Sequence, residues 1–416
     1  MSQTTENRTA ASEAPDDRGA RAFPVVAIMI LATVAAVLTG NLPIYVFVVG
    51  IVGMVMIHEA GHFVTAKWSG MKVTEFFFGF GPRLFSTRKG ETEYGVKALP
   101  LGGYVKIVGM SNVERDIDPA DEPRTYRQQS YPRRMLVAVA GVLTHFVMAF
   151  FLLFLIWAVI GVPQVKPEVG QISKLETGPS PAEEAGFALG DRILSVDGRP
   201  VDDWESIPPY ISERSGRPVT FVGERDGRQV TLTATPVDRD PTERESGFIG
   251  IGATPYNERQ DVISAAGRSV RDVWNITTVS VKALASFFTP GSISEYAGQL
   301  SGEESDADEE KRFLSVVGVG RLAGQAAESG YFSLVYLLVV LNIFVGVFNL
   351  VPLLPLDGGH MAIATYERLR SRGGRRYHAD VSKMVPVAFA VIMVLVVLGV
   401  SALYLDIVDP IENPFR

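Results

Sequence analysis

Apolar and polar positions follow one another along this chain in long blocks. Phe23 to Leu38, Leu42 to Ile57, Met135 to Ile160, Tyr331 to Leu350 and Val385 to Tyr404 lack acidic and basic side chains apart from a lone His145. Runs of this kind predict helices, and about 20 apolar residues suffice to cross a bilayer. The first run is short for a full crossing. Thr39-Gly40-Asn41-Leu42-Pro43 breaks it from the second, which predicts two short membrane segments joined by a tight turn. A cleaved signal peptide stays open as the other reading of residues 23–38, because Arg18 and Arg21 precede an apolar stretch ending in small residues.

The polar blocks set the topology. Residues 1–22 lack an apolar period and read as a disordered cytoplasmic tail. The loop 67–134 carries Lys72, Arg83, Arg88, Lys89, Lys97, Lys106, Arg133 and Arg134, and Ala362 to Lys383 is basic as well. The positive-inside rule puts both in the cytoplasm. Two membrane segments then fall in 23–66, one in 135–161 and two in 331–405, with residues 162–330 outside. In the extracytoplasmic linker 239–330, Val270, Val273, Trp274, Val281, Leu284 and Phe288 recur at helical spacing. They predict an amphipathic helix, either at the outer membrane surface or packed on the neighbouring soluble insert. The acidic run Glu303 to Glu310 reads as a solvated loop.

The insert alternates strand and helix patterns. Leu189-Gly190-Asp191-Arg192-Ile193-Leu194-Ser195-Val196-Asp197-Gly198 leads into a strand and hairpin turn, Trp204 to Arg214 reads as a helix, and Val219 to Glu224 and Gln229 to Thr235 flank the Asp226-Gly227 turn. With Pro181-Ala182-Glu183-Glu184-Ala185-Gly186-Phe187 before it, residues 165–238 resemble a PDZ domain of the bacterial, circularly permuted kind. That resemblance implies either strand-addition binding of a peptide or substrate ectodomain, or a gate or spacer that binds none.

Composition narrows the class. The 416 residues are 47% apolar, concentrated in the runs above, as in a polytopic membrane protein with a soluble insert. A net charge of −7 without a basic aromatic stripe argues against nucleic acid as a partner. Cysteine is absent, so a metal site must use His and carboxylates.

Such a site is at hand. His58-Glu59-Ala60-Gly61-His62 ends the second apolar run, and two imidazoles four residues apart share one helix face. Glu59 beside them can accept a proton from water at the metal. A catalytic zinc usually has three protein ligands. Asp357 is the candidate third, because it follows a later apolar run through Asn349-Leu350-Val351-Pro352-Leu353-Leu354-Pro355-Leu356, broken by two prolines. Both runs point inward on the charge-derived topology, so the ligands meet near the cytoplasmic end.

The paired motifs with a PDZ-like insert between them resemble the site-2 protease family of intramembrane zinc metalloproteases, of the bacterial regulator-of-sigma-E type, over most of residues 42–405. The resemblance implies a zinc ion (Zn2+) on His58, His62 and Asp357, Glu59 as general base, and Asn349 holding substrate or oxyanion. It implies that Glu93 to Lys106 form a membrane-associated β-loop at the catalytic centre, where Val96, Leu99, Gly102 and Gly103, with Pro352 and Pro355, hold unwound substrate. Phe78-Gly79-Phe80-Gly81-Pro82 belongs to the same turn-rich approach. The partners implied are the lipid bilayer and a transmembrane substrate such as a membrane anti-sigma factor or a signal-peptide remnant.

The chain departs from the family at Ala140-Gly141-Val142-Leu143-Thr144-His145, where Gly-Pro-x-x-Asn is usual. His145 reads as a hydrogen-bonded interior histidine more readily than as a group acting on the metal ligands. His360 could orient Asp357, and His378 reads as surface. The expected fold is a polytopic α-helical membrane protein of about five transmembrane helices, with an α+β PDZ-like domain and a β-loop. A non-hydrolytic PDZ-containing scaffold with a structural metal is the rival function.

Overall fold

A computed structural model of the protein describes residues 18–110, 117–175, 178–238, 247–301, 313–371, 377–411 and 413–415. It forms two compact units, one of residues up to Phe154 and from Ala266 on, the other Leu155–Ala265. The acidic run 303–310 and residues 1–17 of the expected tail lie outside the described residues.

The first unit opens with α1 (Arg18–Leu38) and α2 (Leu42–Trp68). Gly40, at φ +73°, makes the turn between them, a conformation glycine adopts without steric cost. Residues 18–22 were expected in the tail and instead begin α1. Next come strands β1 (Val73–Lys89) and β2 (Thr92–Ile107), then α3 (Tyr131–Leu155), whose helical turns continue to Ile160. Among the described residues, four stretches are long and apolar enough to cross a membrane: Leu42–Trp68, Tyr131–Ile160, Tyr331–Asn349 and Val385–Val408. The apolar part of α1, Val26–Leu38, spans roughly 20 Å at 1.5 Å per residue, short of a hydrocarbon core of roughly 30 Å.

The second unit is α+β. It contains β3 (Val162–Ile172), α4 (Pro181–Glu184), β4 (Arg192–Val196), β5 (Arg199–Pro200), α5 (Ile207–Ser212), β6 (Val219–Arg225), β7 (Arg228–Ala234), β8 (Val237–Asp238), β9 (Gly247–Phe248) and β10 (Ile251–Glu258). The main sheet runs β10-β3-β4-β6-β7, with β5 on β4. Inward-facing Val169, Ile193, Val196, Val219 and Phe221 form its core with Phe187, Trp204 and Ile207. Both expected hairpin turns are present, Asp197-Gly198 at φ 49° and 77° and Asp226-Gly227 at 51° and 74°, the positive pair a two-residue turn needs. The helix expected over Trp204 to Arg214 shortens to α5. Asp203 accepts the Ser206 N–H at 2.9 Å, and this side-chain turn competes with helix at the start.

The chain then returns to the first unit through α6 (Val262–Phe287), followed by α7 (Pro290–Ser301), α8 (Val316–Glu328), α9 (Tyr331–Asn349), α10 (Asp357–Arg370) and α11 (Val385–Val408). The amphipathic helix expected in the linker is α6, and Val270, Trp274 and Val281 on it are exposed.

Candidate metal centre

Strands β1 and β2 each bend on themselves. Residues 83–89 pair with 92–97, while Phe76, Phe77 and Phe78 each have two partners: Tyr94 and Val105, Gly95 and Tyr104, Val96 and Gly103. The stretch 73–78 is therefore central. Among the described residues, 103–107 has a strand on one side only. Its other side approaches α2: a side-chain carbon on Gly103 would stand 3.1 Å from Glu59 Cγ, and the Val105 N–H donates to the Glu59 carboxylate.

One helical turn of α2 separates His58 from His62, as the spacing predicts. Their Nε2 atoms stand 3.2 Å apart. Asp357, the first residue of α10, brings Oδ2 to 3.3 Å from both. The start of a helix is a favourable place for a carboxylate. On the other ring nitrogen, His62 Nδ1 donates to the Val137 carbonyl at 2.8 Å, which leaves its Nε2 lone pair facing Asp357.

This donor set fits a metal. Asp357 Oδ2 is buried without a hydrogen-bond donor, although two imidazole nitrogens flank it. Lone pairs converging in this way are satisfied by a cation. Ligand atoms about 2.0–2.1 Å from a tetrahedral centre are about 3.3 Å apart, which matches the separations here. His58, His62 and Asp357 are the one such group among the described residues, with ligand atoms within 4.8 Å of one another.

A cavity of about 520 Å³ opens on this centre. Of the eleven residues given metal, catalytic or substrate-holding roles from the sequence, eight line it: His58, Glu59, His62, Gly102, Gly103, Asn349, Pro355 and Asp357. Three do not. Val96 pairs within the sheet with Phe78 and Phe85, Leu99 is half exposed opposite Phe80, and Pro352 is exposed. His360 lines the cavity and sets its ring against Tyr126, centroids 6.4 Å apart, with no hydrogen bond to Asp357 among the described contacts. His378 is exposed, as expected.

His145 is the interior histidine expected, and it also reaches the site. Its Nδ1 donates to Asn342 Oδ1 at 2.7 Å, and Asn342 Nδ2 returns a bond to the His145 carbonyl at 2.7 Å. Its ring lies 4.9 Å from that of His58. Asn342 was not anticipated. The signal was available: an amide in an apolar run, seven residues before Asn349 and so on the same helix face.

The sequence profile of peptidase family M50 matches residues 46–393. The chain belongs to peptidase family M50. Zinc metalloprotease Rip1 of Mycobacterium tuberculosis is 34% identical over 405 residues, covering 89% of this chain and 98% of the relative. The Rip1 protein of Mycolicibacterium smegmatis is 33% identical over 403 residues, with the same coverage. A putative zinc metalloprotease of Rhizobium meliloti is 28% identical over 351 residues, 80% of this chain and 88% of that one. Among solved structures, the PDZ domain of an SdrC-like protein from Listeria monocytogenes aligns with 21% of this chain and 87% of its own, at 18% identity and a TM-score of 0.19. M50 membership bears out the metallopeptidase expected from the sequence, and the four apolar helices make this M50 peptidase a membrane protein.

Proposed function

We propose that this M50 peptidase cuts peptide bonds inside transmembrane segments of other membrane proteins, as a step of regulated intramembrane proteolysis. Zinc is its metal, and membrane proteins within the bilayer are its substrates. The observation that carries the finer reading is the placement of Glu59. Its carboxylate is held by the Val105 N–H of a one-sided strand and lines the same cavity as His58, His62 and Asp357.

His58, His62 and Asp357 would hold the ion, which supplies Lewis acidity for activating water and polarising a carbonyl. Glu59 takes a proton from the attacking water and delivers it to the leaving amine. A helical substrate shields its own peptide bonds and must be extended before attack. The side of residues 103–107 that lacks a strand, which faces Glu59, can receive the extended segment by backbone pairing once the Val105 N–H passes from Glu59 to the substrate. Gly102 and Gly103 keep that approach clear, with Val96 and Leu99 in the supporting sheet. Asn349 and Pro355 border the other side, with Pro352 just outside the cavity and the Asn349 amide available to substrate or oxyanion.

The charge bias supports a five-segment arrangement. Its parts are a cytoplasmic tail ahead of α1 (1–17), membrane segments within 23–66, 135–161 and 331–405, and a cytoplasmic loop (67–134). The PDZ-like domain (165–238) and a linker (239–330) lie outside. α1 is the fifth segment, and α6 lies along the outer surface. The catalytic centre then stands near the cytoplasmic face of the inner membrane. Anti-sigma factors and signal-peptide remnants are the substrate classes, met first through an ectodomain at the PDZ-like domain.

The test is Glu59→Gln in the purified full chain, with zinc content and cleavage of a helical reporter both measured. Zinc retained with cleavage lost supports the reading. Cleavage unchanged would sink it in favour of a scaffold with a structural metal.

A further inference from the structure

We infer that the chain has a second ligand site, a pocket for a phosphate group where α3 begins and α10 ends. The pocket is about 310 Å³, and Arg127, Arg134, Arg368, His378, Ser130 and Ser371 are among its lining residues. Of its three guanidinium groups, that of Arg127 is held by Glu122 through bonds of 2.9 and 2.5 Å, and that of Arg134 by the carboxylate of Glu367. That carboxylate is already engaged by Arg134 Nη1 at 2.5 Å and the Ala379 N–H at 2.7 Å. With both carboxylates taken up, Arg368 is the guanidinium that leaves the lining positively charged.

Arg134 supplies the deciding observation. It is only 8% exposed, yet among the described residues its Nε has no hydrogen-bond partner. A buried guanidinium donor left unpaired costs stability, and such donors are normally satisfied. The first turn of α3 adds to the demand, because helix-start amides have no acceptor within the helix and carry partial positive charge. Arg368 is exposed and makes no ion pair among the described residues, so it is free to close on a ligand.

The missing partner is therefore an acceptor-rich anion. Phosphate oxygens match planar guanidinium groups in pairs and suit a helix start. Two sources share that chemistry. One is the headgroup of an acidic phospholipid, because α3 is a membrane span and its first turn lies at a membrane face. The other is a soluble phosphate. The site shares no lining residue with the metal centre and does not depend on the protease activity.

The full-length protein is placed in nanodiscs of neutral phosphatidylcholine. One arm adds phosphatidylglycerol to the bilayer, and the other adds inorganic phosphate against chloride at matched ionic strength. Thermal stability is followed for the wild type, Arg368→Gln/His378→Gln and Arg368→Lys, each checked for retained helical circular dichroism. Saturable stabilisation of the wild type is expected in one arm. The double variant should need at least about tenfold more ligand for the same effect, with Arg368→Lys between them. Response to phosphatidylglycerol alone identifies the headgroup, and response to phosphate alone identifies the soluble anion. No saturable response in either arm, or equal responses in wild type and double variant, overturns the site.

Discussion

Gly141 lies directly against His62: a side-chain carbon at that position would overlap the imidazole and crowd His58 as well, 2.9 Å from its Cε1. Absence of a side chain at this point of α3 lets the helix press both imidazoles toward Asp357. Gly141→Ala should therefore tilt the rings while leaving the spans assembled. Groups that orient metal ligands typically matter by about 10–100-fold in affinity. We expect a zinc-affinity loss of that order, read by chelator competition, with cleavage falling in parallel. Unchanged zinc affinity would show that α3 does not set the ligand geometry.

Much of the metal centre was legible because its chemistry fixes residue types at fixed spacings. His58 and His62 must be one turn apart to share an ion, and Asp357 stands out as a carboxylate at the end of an apolar run. The surrounding support was not legible. That Phe76 to Phe78 pair with both 94–96 and 103–105 is a long-range choice no local period encodes. The same holds for Gly141 against His62, a contact between two helices. Asp203 capturing the Ser206 N–H shows the opposite failure, where a local side-chain bond overrode a helical pattern.

Asn342 and His145 exchange two buried hydrogen bonds between α9 and α3, beside the His58 ring. Asn342→Leu removes one partner and strands the other, at a cost of about 1–3 kcal/mol. Unfolding in a denaturing detergent titration should show that loss. The double variant Asn342→Leu/His145→Phe should recover most of it, because replacing both polar partners leaves nothing unsatisfied. A double variant no more stable than the single one would mean that the pair does more than satisfy itself.

Arg134 and Glu367 form a buried ion pair joining α3 to α10, both more than nine-tenths buried. Glu367→Ala leaves a buried guanidinium without its counter-charge, which typically destabilises by about 3–5 kcal/mol. Asp357 stands at the other end of α10, so loosening that helix should weaken zinc binding too. Arg134→Met/Glu367→Leu should restore stability to near the wild type, since well-packed apolar pairs often replace buried ion pairs without loss. Thermal unfolding of the three variants, with zinc content measured in each, checks both halves of the argument.

Glu91, at the turn between β1 and β2, gives the sheet its pH dependence. Arg124 hydrogen-bonds its carboxylate at 2.8 Å and Lys67 at 2.5 Å, and together they pull its pKa down to about 2. A carboxyl whose folded pKa is depressed contributes stability above its unfolded value, near 4.5, and loses it as pH falls toward about 2. The turn should therefore stay docked on the end of α2 at neutral pH and loosen only in acid. Hydrogen exchange of Gly90 to Glu93 should accelerate between pH 4.5 and 2 beyond the intrinsic rate. In Glu91→Gln it should already be raised at neutral pH and show a smaller excess on acidification, because one of the two carboxylates that take up protons there is gone while Glu93, held low by Ser86 and Arg83, remains. Equal acid-induced excess in both proteins would place the pH sensitivity elsewhere in the sheet.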